Sequence, residues 1–187
     1  MANFFAIHSV AASLMTYLRN AYPSPLREAH PCSFQVLSSE ELASWEAGTG
    51  AVLTLFIYRV TPEEHSRNRV SGPTAFLGLE LHMLLTIWTS DALTEHAICA
   101  WVMSELHRRP TLDSSSLTSD AGWRADESVQ IIPDTFSTDE LFRVWDALAP
   151  KYRLSLPYRA RVVQLDLGPM EGHPVVATRF EYGGTNG

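Results

Sequence analysis

Two side chains that could perform acid–base or metal chemistry lie two positions apart in a long apolar stretch of this 187-residue chain. Glu80 and His82 would share one face of a strand, because alternate residues of a strand point to the same side. Such a pair could bind a metal ion or act as acid and base, and His96 on the following helix could approach it. The alternative is that Glu80 and His82 form the solvent-facing side of a half-covered sheet. Because no local spacing supplies the third ligand that a protein metal site needs, we favour this alternative.

Three arginines share one face of another predicted strand: Arg153, Arg159 and Arg161. The chain as a whole is acidic, with 14 basic and 21 acidic residues and a net charge of −7. Because arginine suits planar contacts with carboxylates, this face predicts contact with an acidic partner surface. The alternative is a solvated face whose long side-chain stems cover apolar neighbours. Arg67 and Arg69, in a polar loop, are further candidates for the same kind of contact.

The sequence carries none of the short motifs that mark common active sites. It has no G-x-S-x-G nucleophile elbow, no P-loop and no G-x-G-x-x-G dinucleotide fingerprint. Its two cysteines, Cys32 and Cys99, are far apart in the sequence, which argues against a zinc knuckle and a disulfide framework. We therefore expect no enzyme activity, no bound metal and no cofactor.

Composition limits the classes of partner. Hydrophobic residues make up 45% of the chain and charged residues 19%, which is typical of a globular protein with a buried core. The net charge of −7 argues against nucleic-acid binding, which needs a basic face. No apolar run approaches the roughly 18 residues that span a bilayer, and the N-terminus lacks the basic segment of a signal peptide. We expect neither a nucleic acid nor a membrane as partner.

The spacing of apolar residues predicts the elements that must position these side chains. In order, these are a helix over residues 3–21, a strand over 33–37, a short helix to residue 45, strands over 51–60 and 75–89, a helix over 91–109, a loop over 111–127, a strand over 128–132, a helix that begins with a Ser137–Glu140 capping box, and strands over 152–165 and 175–182. Pro157 favours an edge position or a break in its strand. This order predicts an α+β fold, with helices packed on a mixed, mostly antiparallel sheet. We expect a single domain over residues 1–182 and a flexible tail over 183–187.

Three stretches in this order resemble a known family. The first is Leu-Thr-Leu-Phe-Ile-Tyr-Arg-Val at residues 53–60, followed by Arg67-Asn68. The second is Leu-Gly-Leu-Glu-Leu-His-Met-Leu-Leu at residues 77–85, with the helix end Leu-His-Arg-Arg-Pro at 106–110. The third is Asp-Glu-Leu-Phe-Arg-Val-Trp at residues 139–145, followed by Tyr-Arg-Leu-Ser at 152–155, Tyr158 and Arg-Val-Val at 161–163. Together they resemble the tail-cap (tail-terminator) family of extracellular contractile injection systems, the antifeeding-prophage and virulence-cassette particles.

The resemblance implies a structural role and a tail-terminator-like fold. It implies a ring, expected to be a homohexamer, on the distal end of the inner tube, where it stops tube growth and anchors the last sheath layer. The implied partners are therefore the inner tube protein, the sheath protein and other copies of this chain. Sheath attachment is expected to use strand addition at residues 175–182 or 152–165, with the arginine-bearing face as a tube or sheath contact.

The expected location is the bacterial cytoplasm during assembly, with release as part of an extracellular particle. Two alternatives stay open. One is a baseplate or adaptor subunit of the same particle, and the other is a small metal-dependent enzyme that uses Glu80, His82 and His96.

Overall fold

The secondary structure follows most of the sequence pattern, as seen in a computed structural model that describes residues 2–45, 48, 50–63, 76–148 and 152–167. In chain order the elements are helices α1 (Ala6–Ala21) and α2 (Ser24–Ala29), strand β1 (Cys32–Val36), helix α3 (Ser39–Ala43), strands β2 (Ala51–Pro62) and β3 (Phe76–Trp88), helix α4 (Ala92–Arg108), strands β4 (Thr111–Asp113) and β5 (Ser128–Pro133), helix α5 (Thr138–Ala147) and strand β6 (Ser155–Asp166), with a 3-10 turn at Ser119–Ala121 between β4 and β5. Among the described residues, no helix is both long and apolar enough to cross a bilayer.

Local side-chain signals determine where helices start. The predicted capping box at Ser137 is confirmed, and Ser38 forms a second one at the start of α3. The first helix begins at Ala6 rather than at residue 3. The reason is that the Asn3 side chain accepts a hydrogen bond from the Phe5 N–H at 2.8 Å, which favours a turn before the helix.

The six strands form one sheet in the order β1-β2-β3-β6-β5-β4, with β1 and β2 parallel and all other neighbours antiparallel. This confirms the predicted α+β fold with a mixed, mostly antiparallel sheet. The predicted edge position or break at Pro157 is wrong, because β6 runs unbroken between β3 and β5. The ladder with β5 begins only at Tyr158, so Pro157 lies at its margin, where a missing N–H is tolerated.

The position of β6 also corrects the expectation that residues 152–165 offer an edge for strand addition. β6 pairs with β3 on one side and, at residues 158–161, with β5 on the other. Further along β6, past its pairing with β5, Leu165 forms a parallel bridge with Ala2. Within the part of the chain that the structure describes, the outer strands of the sheet are instead β1 and β4.

One face of the sheet, here called the inner face, packs against α1 and α4. Alternate residues of β3, on the face opposite to Glu80 and His82, lie here, with Leu81, Met83, Leu85 and Ile87 fully buried. They join the apolar stripe of α1 and the buried side of α4 in one continuous core. This confirms the helical and strand periodicities read from the sequence, since each apolar face is buried against the other.

The opposite, outer face is covered only in part, by α3 and α5. Here Leu84 and Trp88 of β3 pack with Trp145 of α5 and Leu42 of α3 in a second, smaller cluster. Trp88 and Trp145 are thus core residues of the outer side, and Trp101 is a core residue of the inner side. The half of β3 that precedes Leu84 lies beyond α5 on this face, and it carries Glu80 and His82.

Other local predictions differ from the structure. Helix α2 is not among the predicted elements, and Pro25 lies in its first turn, where its missing N–H is not needed. The predicted loop over residues 111–127 contains β4 and the 3-10 turn, because β4 pairs with β5, which lies further along the chain. The predicted strand over residues 175–182 and the tail over 183–187 lie outside the described residues.

Candidate functional site

The outer face of the sheet carries a cluster of charged side chains beyond the part that α3 and α5 cover. β3 contributes a carboxylate and an imidazole, β6 contributes two guanidinium groups, and the chain just after β2 and after β5 contributes one further carboxylate each. Antiparallel pairing places His82 opposite Arg159. We call these residues the outer-face network: Glu63, Glu80, His82, Asp134, Arg159 and Arg161.

The two arginines of the network are matched by carboxylates. Arg161 Nε lies 2.6 Å from Glu80 Oε1, and Arg161 Nη2 lies 3.7 Å from Glu63 Oε1. Arg159 Nη1 lies 3.6 Å from Glu80 Oε2, and Arg159 Nε lies 3.2 Å from Asp134 Oδ1. The Nε–H bonds are not directed at these oxygens, so the contacts are ion pairs rather than hydrogen bonds. Three carboxylates thus surround two guanidinium groups, and the arginine charge is neutralised within the chain.

Asp134 lies at the centre of this network, with a side chain that is 10% exposed. Its Oδ2 lies 2.9 Å from His82 Nδ1 and accepts a hydrogen bond from the Tyr58 hydroxyl at 3.3 Å, while its Oδ1 accepts from the Thr135 N–H at 2.9 Å. Because a carboxylate only accepts, Nδ1 of His82 carries the proton, and Nε2 faces the Thr61 hydroxyl at 3.2 Å. Burial, and then the negative charge of Asp134, raise the pKa of Tyr58. The phenol therefore stays a neutral donor.

This geometry does not bring together the three residues of the metal-enzyme alternative. The expectation that Glu80 and His82 face solvent is also wrong, because their side chains are only 15% and 10% exposed and have partners in the outer-face network. His96 lies on α4, which packs on the inner face, whereas Glu80 and His82 lie on the outer face. The sheet therefore separates His96 from the other two side chains. Both ring nitrogens of His82 already have partners in Asp134 and Thr61. Among the described residues, no three histidine, cysteine, aspartate or glutamate side chains come together as metal ligands.

The sequence predicts one arginine face, and the structure divides it into two environments. Arg153 lies over the ring of Trp88, with 5.5 Å between its guanidinium carbon and the ring centroid. Arg159 and Arg161 lie in the outer-face network, with side chains 30% and 37% exposed. About a third of each thus remains open to a partner. Outside the described residues lie the remaining two candidates, Arg67 and Arg69.

Sequence reasoning found Glu80 but missed Asp134 and Glu63, the other two carboxylates of this site. Asp134 is 52 positions from His82, and only the pairing of β5 with β6 brings it beside Arg159. The one available signal was the position of Asp134 directly after β5, since the next strand in the sequence, β6, is rich in arginine. That signal could not be used without the strand order, since the antiparallel register decides which side chains meet.

The fold resembles solved structures of proteins that end the tubes of injection particles. One is the sheath/tube terminator of the PVC extracellular contractile injection system in its extended state, with a TM-score of 0.56 and 18% identity over 96% of this chain. Another is the tube-terminating cap of the anti-feeding prophage, with a TM-score of 0.50 and 19% identity over 89% of this chain. The chain spans 64% and 61% of the lengths of these two proteins. At this identity the likeness shows a shared fold.

Sequence comparison shows the family. Among curated proteins, none matches this sequence. Residues 9–178, which are most of the chain, match the family described as the Pvc16 N-terminal domain. The match includes all three stretches on which the resemblance to tail caps depends. We conclude that this chain belongs to the Pvc16 N-terminal domain family.

Proposed function

We propose that this chain is a structural cap of a contractile injection system. It forms a ring on the distal end of the inner tube, ends tube growth and anchors the last sheath layer. The observation that carries the proposal is the fold, which nearly the whole chain shares with two proteins that terminate a tube. Membership of the Pvc16 N-terminal domain family supports the same role.

The physics of capping explains why such a protein needs a ring and no catalytic centre. Ending a polymer requires binding to its last layer while presenting no equivalent surface to the next subunit. Contacts between different surfaces of identical copies close into a ring when the rotation between neighbours fits. We propose a homohexamer, with the inner tube protein on one side and the sheath protein around it. We place its assembly in the bacterial cytoplasm, before release of the particle.

We propose that the open part of the outer-face network contacts the tube or the sheath. Because the charges of Arg159 and Arg161 are matched within the chain, the contact depends on their exposed N–H groups rather than on net positive charge. Substituting Arg161→Lys keeps the charge beside Glu80 and removes the planar donor fork. We expect weaker capping from this variant, with longer or unstable particles in micrographs. Unchanged particle lengths would remove Arg161 from the contact.

For sheath attachment by strand addition we propose the edge of β1. Of the two outer strands, β1 has five residues and β4 three, and a longer edge gives an added strand more main-chain hydrogen bonds. Arg19 Nη2 already donates to the Phe34 carbonyl at 3.0 Å. An added strand would take the place of that contact.

Imaging of particles from a strain that lacks this chain tests the proposed function. We expect tubes and sheaths of uncontrolled length, or the loss of stable extended particles, and a return to normal when the chain is supplied. Normal particles without the chain would refute the cap role. A gold-labelled tag on the chain then shows which end of the particle carries it. A label at the baseplate end would favour the baseplate or adaptor alternative.

A further inference from the structure

The outer edge of β1 carries main-chain groups that have no further strand beside them in the described part of the chain. In a parallel pair the N–H and the C=O of one residue point to the same side, and this side alternates along the strand. Leu37, directly after β1, donates its N–H to the Leu55 carbonyl of β2 at 2.9 Å. Cys32, Phe34 and Val36 therefore direct their main-chain groups away from β2. An edge of this kind binds an extended segment.

An arginine from α1 already contacts this edge. Arg19, in the last turn of the helix, donates from Nη2 to the Phe34 carbonyl at 3.0 Å. Arg27 of α2 lies beside it, since its Nη2 donates to the Arg19 carbonyl at 3.3 Å and to the Tyr22 carbonyl at 3.0 Å. Both arginines are exposed. We call Arg19, Arg27 and the outward main-chain groups of β1 the basic edge.

The positive charge of the basic edge is not matched by a carboxylate of the described chain. The partners of both guanidinium groups are main-chain carbonyls, which carry no net charge. Among the described residues, neither Arg19 nor Arg27 forms an ion pair, and the exposed Glu28 next to Arg27 forms none either. The guanidinium groups of the outer-face network differ, because carboxylates surround them. The basic edge is thus a local positive charge on a chain of net charge −7, which favours an acidic ligand.

We propose that the basic edge binds an extended acidic segment of the sheath protein, and that Arg19 moves from the Phe34 carbonyl to a carboxylate of that segment. This binding mode rests on the proposed strand addition at β1 and adds the chemistry of the partner strand. A main-chain N–H of the segment replaces Arg19 as the donor to Phe34. The displaced guanidinium group then forms a charge-assisted hydrogen bond, which is stronger than its bond to a neutral carbonyl. A segment without a carboxylate would displace Arg19 and give it no partner.

A charged side chain at a sheet edge can also serve only to block pairing with other chains. The two roles of Arg19 predict effects of opposite sign. Where Arg19 binds the added segment, removal of its guanidinium group weakens the binding of an acidic strand. Where Arg19 only blocks the edge, its removal strengthens the binding of every strand, whatever the charge of that strand.

Titration of the purified chain with two labelled peptides tests the acidic preference. The probe alternates valine and glutamate, its control alternates valine and lysine, and fluorescence anisotropy at neutral pH and low salt measures binding. We expect the glutamate peptide to bind about tenfold more tightly than the lysine peptide. Arg19→Gln should weaken the glutamate peptide about fivefold. The matched control is Arg124→Gln, which changes the net charge equally at an exposed arginine paired with Asp126 and should leave the binding unchanged.

Amide hydrogen exchange on the same samples locates the bound peptide. We expect the outward N–H groups of Phe34 and Val36 to exchange about tenfold more slowly with the glutamate peptide, while Thr111 of the other outer strand, β4, is unchanged. Protection of β4 instead of β1 would overturn the proposal. So would the absence of saturable binding by the glutamate peptide, equal or tighter binding of the lysine peptide, or tighter binding after Arg19→Gln.

Photo-crosslinking in assembled particles identifies the source of the segment. Benzoylphenylalanine in place of Ser33, which is exposed on β1, should crosslink to a stretch of the sheath protein with more acidic than basic residues. Particles that carry the chain but give no such crosslink, or one to a stretch that is not acidic, would overturn the proposal and leave the cap role intact. Where the strain without the chain makes normal particles, the cap role and the sheath as partner both fail. The peptide titration then decides by itself whether the basic edge binds an acidic strand.

Discussion

Replacement of Asp134 by asparagine tests whether the outer-face network stabilises the fold. Both carboxylate oxygens of Asp134 accept from donors: Oδ2 faces His82 and Tyr58, and Oδ1 faces the Thr135 N–H and Arg159. An asparagine has one acceptor oxygen and one NH₂ group. Whichever way the amide is turned, its NH₂ group faces donors. The substitution therefore removes the negative charge and one set of favourable contacts while the size of the side chain is kept.

The expected loss in the free energy of unfolding caused by Asp134→Asn lies between the values measured for exposed and for buried ion pairs. Exposed pairs contribute about 0–1 kcal/mol, and removal of one partner of a fully buried pair costs about 3–5 kcal/mol. The Asp134 side chain is 10% exposed and that of Arg159 is 30% exposed, so solvent screens the pair in part. We expect Asp134→Asn to lower the free energy of unfolding by about 2 kcal/mol. For a chain of this size that corresponds to a fall in Tm of roughly 4–8 °C.

Urea unfolding followed by tryptophan fluorescence measures the effect, since the chain has five tryptophans. The matched control is Asp126→Asn, because Asp126 is also paired with an arginine, Arg124, but their side chains are 74% and 60% exposed. We expect that control to change the free energy of unfolding by less than about 0.5 kcal/mol. A loss for Asp134→Asn within about 0.5 kcal/mol of the control would refute the argument that partial burial makes the ion pairs of the network stabilising.

Three further predictions follow from other parts of the fold. Leu81→Ala removes a fully buried side chain at the centre of the inner core and should cost about 2–5 kcal/mol in urea unfolding; a smaller loss would mean that the core closes over the cavity. Ser137→Ala removes the capping box of α5 and should cost about 1 kcal/mol, with Ser39→Ala, an exposed serine at the first position of α3 outside its capping box, as the comparison. Burial raises the pKa of Cys32 from 9.0 to about 11, so the folded state favours the protonated thiol. The contribution of the protonated Cys32 thiol to the free energy of unfolding is complete below pH 9 and is lost as the pH rises through 11. We therefore expect the free energy of unfolding of Cys32→Ser to fall less steeply between pH 9 and 11 than that of the unchanged protein, as measured by urea unfolding at each pH.

The sequence by itself determined the features that depend on neighbouring residues along the chain. The alternation of β3 correctly placed Glu80 and His82 on one face, and the capping box at Ser137 correctly predicted the start of α5. Such signals are local, because side-chain direction repeats every two residues in a strand and caps act within one helical turn. The order of three such stretches was also enough to indicate the family.

Only the tertiary structure decided which of these elements became neighbours. The sequence placed Glu80 and His82 on one strand face, but it could not show that Asp134 would bind His82 or that His96 would lie across the sheet. It also could not show that β6 is an interior strand whose Arg159 meets a carboxylate. The physical reason is that strand order and register are set by long-range pairing. The gain from that pairing depends on residues far apart in the chain, which no local pattern contains.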